Sequence, residues 1–147
     1  MLSETETASN DSAPGEGATE RATVKAKWGG AVHESSGFVA VPMALLRLQS
    51  AYGLSSTDMM VLINLLGHWW EPSSVVFPRS STIAKRLGVD KRTVQRAINK
   101  LQSKGLLEIE RVEDGKRAFV FDRLVRRLSQ DIPRAYTAQV YETFGDL

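Results

Sequence analysis

A short run of polar side chains, from Arg92 to Asn99, has the residue types and spacing needed to hydrogen-bond the edges of nucleic-acid bases. Arg92, Arg96 and Asn99 share one face of a predicted helix over residues 91–104, with Thr93 and Gln95 beside them. Arginine can donate two hydrogen bonds to guanine O6 and N7, and Asn or Gln can pair similarly with adenine N6 and N7. These five side chains are therefore predicted to contact bases in the major groove of double-stranded DNA. The alternative is a solvated helix face, which more often carries Glu and Lys in mixed order.

A second set of polar residues is predicted to contact phosphate groups. Several of them lie at helix amino termini, where free N–H groups and the helix dipole favour anions. Others flank the base-contacting face or lie at the tip of a predicted hairpin, where the acidic residues 113 and 114 leave an idle turn as the alternative. The set comprises Ser80, Ser81, Thr82, Lys91, Lys100, Lys116 and Arg117.

Two consecutive helices are predicted to present these side chains. The helix over residues 91–104 has an apolar stripe at positions i, i+3, i+4 and i+7, formed by Val94, Ala97, Ile98 and Leu101. Asp90 caps its start and Gly105 stops it. A shorter helix over residues 80–87 precedes it, with the hydroxyls of residues 80–82 as caps and Gly88 in the left-handed conformation as its end.

Two further helices are predicted upstream. Pro42 suits the first turn of a helix that Gly53 ends. Residues 55–58 then begin a largely apolar helix that reaches Trp70. Trp69 and Trp70 are predicted to close the core rather than to stack on single-stranded bases.

A β-hairpin and a short helix are predicted downstream. Residues 106–111 and 117–121 are strand-like and are joined through Asp114-Gly115, a strong hairpin signal. The helix that follows carries Arg123, Arg126 and Arg127 around its apolar residues. The sequence leaves open whether these arginines reach DNA or only keep the surface soluble.

The charge of the chain is distributed unevenly. Residues 1–20 contain five acidic and no basic residues, so the rest holds all 19 basic residues against 12 of the 17 acidic ones, a net charge of +7. Residues 79–127 alone contain 14 basic and 6 acidic residues. Such a concentration indicates a polyanion partner, with a solvated basic surface as the alternative.

The composition argues against several other classes of function. The chain has no cysteine, and its two histidines, His33 and His68, have no partner at metal-ligand spacing. It also has no glycine-rich phosphate loop and no serine nucleophile motif. We therefore expect no enzymatic activity, no metal, no cofactor and no evident small-molecule ligand.

The chain also lacks the signature of a membrane or secreted protein. Its longest apolar stretch, Met59–Trp70, is too short to span a bilayer, and the first twenty residues lack a secretory signal. The sequence therefore predicts a cytoplasmic protein.

The order of these elements resembles a winged helix-turn-helix. The resemblance rests on small and aliphatic residues at the spacing of the motif, namely Ile83, Ala84, Leu87, Gly88, Val89, Val94 and Ala97. Residues 77–89, 92–98 and 101–107 also resemble DNA-binding proteins encoded by phages and plasmids, among them regulators and replication initiators. The resemblance covers about residues 38–128.

This resemblance implies a mostly helical fold with a small β-hairpin. It also implies a sequence-specific double-stranded DNA-binding protein of the bacterial cytoplasm, associated with the nucleoid through DNA. A transcriptional regulator that inserts the helix over residues 91–104 into the major groove is favoured. A plasmid or phage replication-initiation protein that binds origin repeats is the first alternative, and a winged-helix protein-interaction module is the second.

Three regions are predicted along the chain. Residues 1–36 form a flexible acidic tail, residues 37–128 the DNA-binding domain, and residues 129–147 a helical extension. A single reading helix gives limited affinity, so a homodimer is expected. Tyr136, Val140, Tyr141 and Phe144 share a helical face that either forms the dimer contact or packs on its own domain.

Overall fold

A computed structural model of the 147-residue chain describes residues 16–33, 37–71, 76 and 78–144. The chain divides into two compact units, residues 1–38 and residues 39–147. The described part of the first unit contains helix α1 (Glu16–Trp28) and a single 3₁₀ turn, Gly29–Ala31.

Helix α1 differs from the flexible tail predicted for residues 1–36. Its residues from Thr19 to Trp28 are exposed except for half-buried Val24, so tertiary packing contributes little to the helix. Ala, Glu, Arg and Lys are strong helix formers, and Lys25 and Lys27 in the last turn suit the helix dipole. The scarcity of apolar residues predicts little burial, whereas this helix follows from the local preference of its residues. Residues 1–15 and 34–36 of the predicted tail lie outside the described residues.

The second unit contains five helices and a β-hairpin among its described residues. In chain order they are α2 (Met43–Leu48), α3 (Ser56–Leu66), α4 (Ser80–Leu87), α5 (Lys91–Ser103), β1 (Glu108–Arg111), β2 (Arg117–Val120) and α6 (Asp122–Phe144). The predicted mostly helical fold with a small hairpin is confirmed.

The core of this unit is built from one apolar face of each helix. The stripe predicted on α5 is buried at all four positions, and it packs against α3 and α4. The largest side chains that are fully buried are Leu45, Leu62, Leu65, Ile83, Ile98, Leu101, Leu106 and Leu107. Burial of each such side chain stabilises the folded protein by about 1.5–3 kcal/mol relative to leaving it exposed.

Side-chain caps fix the starts of α3 and α5. The Ser55 hydroxyl accepts a hydrogen bond from the Asp58 amide at 3.1 Å, and the Asp58 carboxylate accepts one from the Ser55 amide at 2.8 Å. Asp90 caps α5 by accepting from the amide of Thr93 at 2.7 Å. The predicted cap of α4 is wrong: Arg79 occupies the cap position without a side-chain hydrogen bond, and Ser80 is already the first helical residue.

Helix α3 ends at Leu66, earlier than predicted. As a result, the two tryptophans that follow it differ in burial. Trp69 is partly buried against the core, with its ring centroid 5.1 Å from that of Phe121. Trp70 is 67% exposed, so the prediction that it closes the core is wrong. Because the chain leaves the helix at Gly67, the helical spacing that would have turned Trp70 inward does not apply.

The hairpin is antiparallel and pairs Glu108 with Val120 at one end and Arg111 with Arg117 at the other. Its tip is a 3₁₀ turn, Glu113–Gly115. Val76 adds an isolated bridge to the second strand, where its carbonyl accepts from the amide of Phe119 at 2.9 Å. The sequence analysis missed this bridge, which anchors the hairpin to the segment before α4.

Helix α6 runs without interruption through Pro133 and packs against α2. Leu124, Leu128 and Ala135 are its buried contacts with the core. The helix therefore crosses the boundary predicted at residue 128, and residues 129–144 continue a helix that begins within the predicted domain of residues 37–128. Residues 145–147 lie outside the described residues.

We expect Ser55→Ala to lower the free energy of unfolding by about 1 kcal/mol, because the Asp58 amide loses its hydrogen-bond acceptor. Urea denaturation monitored by circular dichroism measures this change. Ser56→Ala, one residue further on at an exposed position, is the matched control and should cost less than half as much. Equal losses for the two variants would contradict the capping role.

Candidate nucleic-acid interface

The solvent-facing side of α5 carries the side chains predicted to contact bases. Arg92, Arg96 and Asn99 are exposed, and Thr93 and Gln95 are half-buried. Because the opposite face of α5 is packed into the core, the helix cannot rotate these residues away from solvent without exposing its apolar stripe. The structure therefore brings the three exposed residues onto one accessible surface, which we call the α5 face.

Thr93 has a structural role at the start of this face. Its hydroxyl donates to the Asp90 carboxylate at 2.8 Å, in addition to the bond from its amide. The backbone and side-chain hydrogen bonds from Thr93 lower the pKa of Asp90, and the nearby charges of Arg92 and Arg96 lower it further. The Thr93 hydroxyl is thus engaged as a donor within the cap and offers DNA an acceptor only.

The turn between α4 and α5 fixes how the face is presented. Gly88 adopts the left-handed conformation, with φ of 66°, and a Cβ at this position would meet no atom within 4 Å. Glycine is therefore required for its backbone angle and not for lack of space. After the turn, the Val89 amide donates to the carbonyl of Ala84 at 3.1 Å, and Val89 packs partly against the core.

The residues predicted to contact phosphate fall into two groups. Five of them are exposed, namely Ser81, Thr82, Lys91, Lys116 and Arg117. Ser80 is only 8% exposed and Lys100 is engaged with a buried carboxylate, so the structure does not present these two as it presents the others.

Lys100 joins α5 to α3 through a short ion pair. Its ammonium lies 2.6 Å from the carboxylate of Asp58, whose side chain is 6% exposed. Burial raises the pKa of Asp58, but hydrogen bonds from Lys100 and Ser55 outweigh this effect and hold the pKa below its ordinary value. The pair therefore compensates a buried charge. The sequence analysis missed it, because the two residues are 42 positions apart.

The hairpin adds a basic residue that the sequence analysis did not assign. Arg111 lies directly opposite Arg117 in the strand register, and both are exposed. Like charges at directly opposed positions destabilise a sheet, and a bound anion would relieve that repulsion. The alternating pattern around the Asp114-Gly115 turn would have identified Arg111 had the register been followed to the strand end.

The arginines of α6 are directed at neighbouring elements. Arg123 Nε lies 3.1 Å from the Glu108 carboxylate on β1, and Arg126 Nη2 lies 3.9 Å from the same oxygen. Arg127 donates to the backbone carbonyl of Lys104 at the end of α5. All three side chains thus have partners within the domain.

Within the described ranges, residues 16–33, 37–71, 76 and 78–144, no group of three or more His, Asp or Glu side chains could hold a metal ion. The same ranges contain no helix that is long and apolar enough to cross a membrane. His68 Nε2 lies 3.3 Å from Arg86 Nη1, and burial together with the Arg86 charge lowers the pKa of His68.

Comparison with known proteins identifies the architecture. Residues 52–107 match a protein family described as a helix-turn-helix domain. The N-terminal domain of DnaD protein from Geobacillus kaustophilus HTA426 is similar in structure, with a TM-score of 0.53, 20% identity, and coverage of 80% of this chain and 94% of that one. A MarR transcriptional regulator from Methanosarcina mazei Go1 gives a TM-score of 0.40, 17% identity, and coverage of 90% and 83%. No curated protein matches the sequence.

We expect Lys100→Met to lower the free energy of unfolding at pH 7 by about 1–3 kcal/mol, because Asp58 remains buried without its cation. The folded-state pKa of Asp58 lies below its unfolded value of about 3.9, so the stabilisation is present above that pH and is lost as the pH falls through the folded value. The wild-type and variant proteins should therefore converge in stability as the pH falls from 7 towards 3.

Urea denaturation across this pH range measures the effect. Lys91→Met removes the same charge from an exposed position of α5 and is the control, for which we expect no comparable loss. A Lys100→Met variant as stable as wild type at pH 7 would contradict the importance of the ion pair.

Proposed function

We propose that the winged helix-turn-helix formed by residues 39–147 makes the protein a sequence-specific double-stranded DNA-binding protein, most specifically a transcriptional regulator. In this proposal α5 enters the major groove. The observation that carries it is the α5 face, where Arg92, Arg96 and Asn99 are exposed while the opposite side of the helix is buried. The proposed function is DNA binding, and no residue is given a catalytic role.

The geometry of α5 suits the reading of successive bases. Arg92 and Arg96 are four residues apart, which is about 6 Å along the axis. Base pairs are stacked about 3.4 Å apart, so the two guanidinium groups reach different base pairs. Asn99 and Gln95 extend the same surface with side chains suited to adenine. Together they supply the chemistry for discrimination between sequences.

Phosphate contacts on either side of α5 would set its register on the duplex. Ser81, Thr82 and Lys91 lie near helix amino termini, and the paired Arg111 and Arg117 lie with Lys116 on the hairpin. Contacts of this kind position the protein without reading sequence, and they make affinity depend on salt. The hairpin would act as a wing along the phosphate backbone.

A replication-initiation protein is the second candidate, since the segments around α4 and α5 resemble such proteins as well as regulators. The two roles differ in the arrangement of their binding sites. Inverted half-sites about one helical turn apart favour a dimeric regulator, whereas directly repeated half-sites favour an initiator. A protein-interaction module would show no preference among DNA sequences.

We further propose that the working form is a homodimer. Met43 and Leu46 on α2, and Ile132 and Tyr136 on α6, are large apolar side chains exposed to solvent. On α6, Val125 shares the face of Ile132 and Tyr136, at spacings of seven and eleven residues, so the exposed apolar side chains form a stripe. A second copy covering this stripe would bring two α5 faces into one assembly, which inverted half-sites require.

We expect Arg92→Ala or Arg96→Ala to weaken binding to the preferred duplex by about 1–3 kcal/mol and to leave binding to random duplexes nearly unchanged, because base contacts are lost. Lys116→Ala should weaken both to a similar extent and reduce the salt dependence. Fluorescence anisotropy at several salt concentrations measures each effect. Three variants with the same effect on both duplexes would contradict the assignment of base readers.

We expect Tyr136→Glu to shift the protein towards the monomer, because a charge would be buried at the proposed contact. Sedimentation velocity at micromolar concentration measures this shift. Gln130→Glu adds the same charge at an exposed position on another side of α6 and should leave the dimer intact. A wild-type chain that is monomeric with and without DNA would refute the dimer.

A further inference from the structure

The carboxyl end of α5 is held by a side chain from α6. Lys104 follows the last helical residue, Ser103, and its backbone carbonyl accepts a hydrogen bond from Arg127 Nη1. The last carbonyls of a helix lack partners within it, and a cation at this end also suits the helix dipole. Arg127 therefore satisfies both requirements from a different element, 23 residues further along the chain.

Arg127 is in turn oriented by two residues. Its guanidinium carbon lies 4.8 Å from the centre of the Tyr52 ring, and its Nε lies 4.0 Å from the Asp131 carboxylate. The Tyr52 hydroxyl donates to the same Asp131 oxygen at 2.7 Å. Burial, and then this hydrogen bond, raise the pKa of Tyr52 to about 12, so the hydroxyl stays protonated at neutral pH.

A second link connects the same groups. Lys104 Nζ donates to the backbone carbonyl of Tyr52 at 2.8 Å. Gly53, with φ of 67°, leaves space for that ammonium, since a Cβ there would lie 2.8 Å from Nζ. Tyr52, Lys104, Arg127 and Asp131 thus form one connected cluster, which we call the Lys104 junction. It joins the turn after α2, the end of α5 and the second and third turns of α6.

The Lys104 junction is one of three polar attachments that hold α5 in the domain. Asp90 holds the amino end of the helix, the Asp58–Lys100 pair attaches its last turn to α3, and the junction holds Lys104, the residue that follows the helix. Asn99 lies five residues before Lys104, about 7.5 Å along the helix axis. Loss of the last attachment would let this end shift relative to a duplex held by contacts elsewhere. A shift of that kind misaligns hydrogen bonds to bases more than it weakens attraction to phosphates.

We propose that Arg127 is a positioning residue for sequence discrimination, acting through the Lys104 carbonyl on the α5 face. The proposal rests on the proposed function and adds to it a specificity determinant outside α5. The competing role for Arg127 is a direct phosphate contact, since its side chain is 41% exposed. The two roles differ in what they do to binding of random DNA.

Three variants test the proposal. Arg127→Met removes the guanidinium, and Tyr52→Phe removes only the hydroxyl that orients Asp131, with no change of net charge. Arg126→Met is the matched control, because it removes the same charge from the neighbouring position of α6, where the side chain is 70% exposed. Binding is measured at a temperature at which circular dichroism shows all of the variants to be folded.

The first readout is the ratio of dissociation constants for random and preferred duplexes, measured over a range of salt. We expect Arg127→Met to lower this ratio about three- to tenfold relative to Arg126→Met, with the salt slopes of the two variants equal. Tyr52→Phe should change the ratio in the same direction by a smaller factor. The second readout, amide hydrogen exchange without DNA, should be faster at the carboxyl end of α5 in Arg127→Met but not in Arg126→Met.

Three results would overturn the proposal. An Arg127→Met protein with the wild-type ratio shows that the junction does not affect discrimination. Equal weakening on both duplexes with a reduced salt slope, confined to Arg127→Met, assigns the side chain to phosphate contact. A wild-type protein without any preferred duplex refutes the proposed function itself, and the positioning role falls with it; the wild-type measurement alone reveals this case.

Discussion

Burial of one face of α5 is the constraint on which the rest of the domain depends. Val94, Ala97, Ile98 and Leu101 must face the core, and the helix therefore has only one orientation in which its apolar stripe leaves water. That orientation alone determines which side chains remain accessible. Arg92 and its neighbours on the α5 face are exposed because of what lies opposite them, so the packing that stabilises the domain also forms its candidate reading surface.

The polar contacts around α5 refine an orientation that packing sets only approximately. A cap at its first turn, an ion pair to α3 and a hydrogen bond from α6 attach the helix at three heights along its axis. Each contact is modest, of the order of 1 kcal/mol, and hydrophobic burial is the larger contribution to stability. Base recognition, however, tolerates little displacement of the hydrogen-bonding groups. If α5 reads bases as proposed, the same contacts matter more for discrimination than their contribution to stability suggests.

Local features of the sequence predicted local structure correctly. The sequence did not predict contacts between residues that are distant along the chain. The cap at Asp90 and the turn at Gly88 depend on short-range geometry that a few residues encode, and both are present. The Asp58–Lys100 pair depends on how α3 and α5 cross, which no spacing along the chain reveals. Trp70 was placed wrongly because helical periodicity was extended past the point where α3 ends. The apolar stripe predicted the orientation of the α5 face. It did not predict the contacts from α3 and α6 that hold α5 in place.

The most direct test of the central claim is selection of bound duplexes from a random double-stranded library near 0.15 M salt, carried out in parallel for the wild-type protein and for the Arg92→Ala/Arg96→Ala double variant. If the α5 face reads bases, the wild-type protein enriches a defined motif, and the folded double variant enriches none or a different one. Enrichment of the same motif by both proteins, or of no motif by the wild-type protein, would contradict the account.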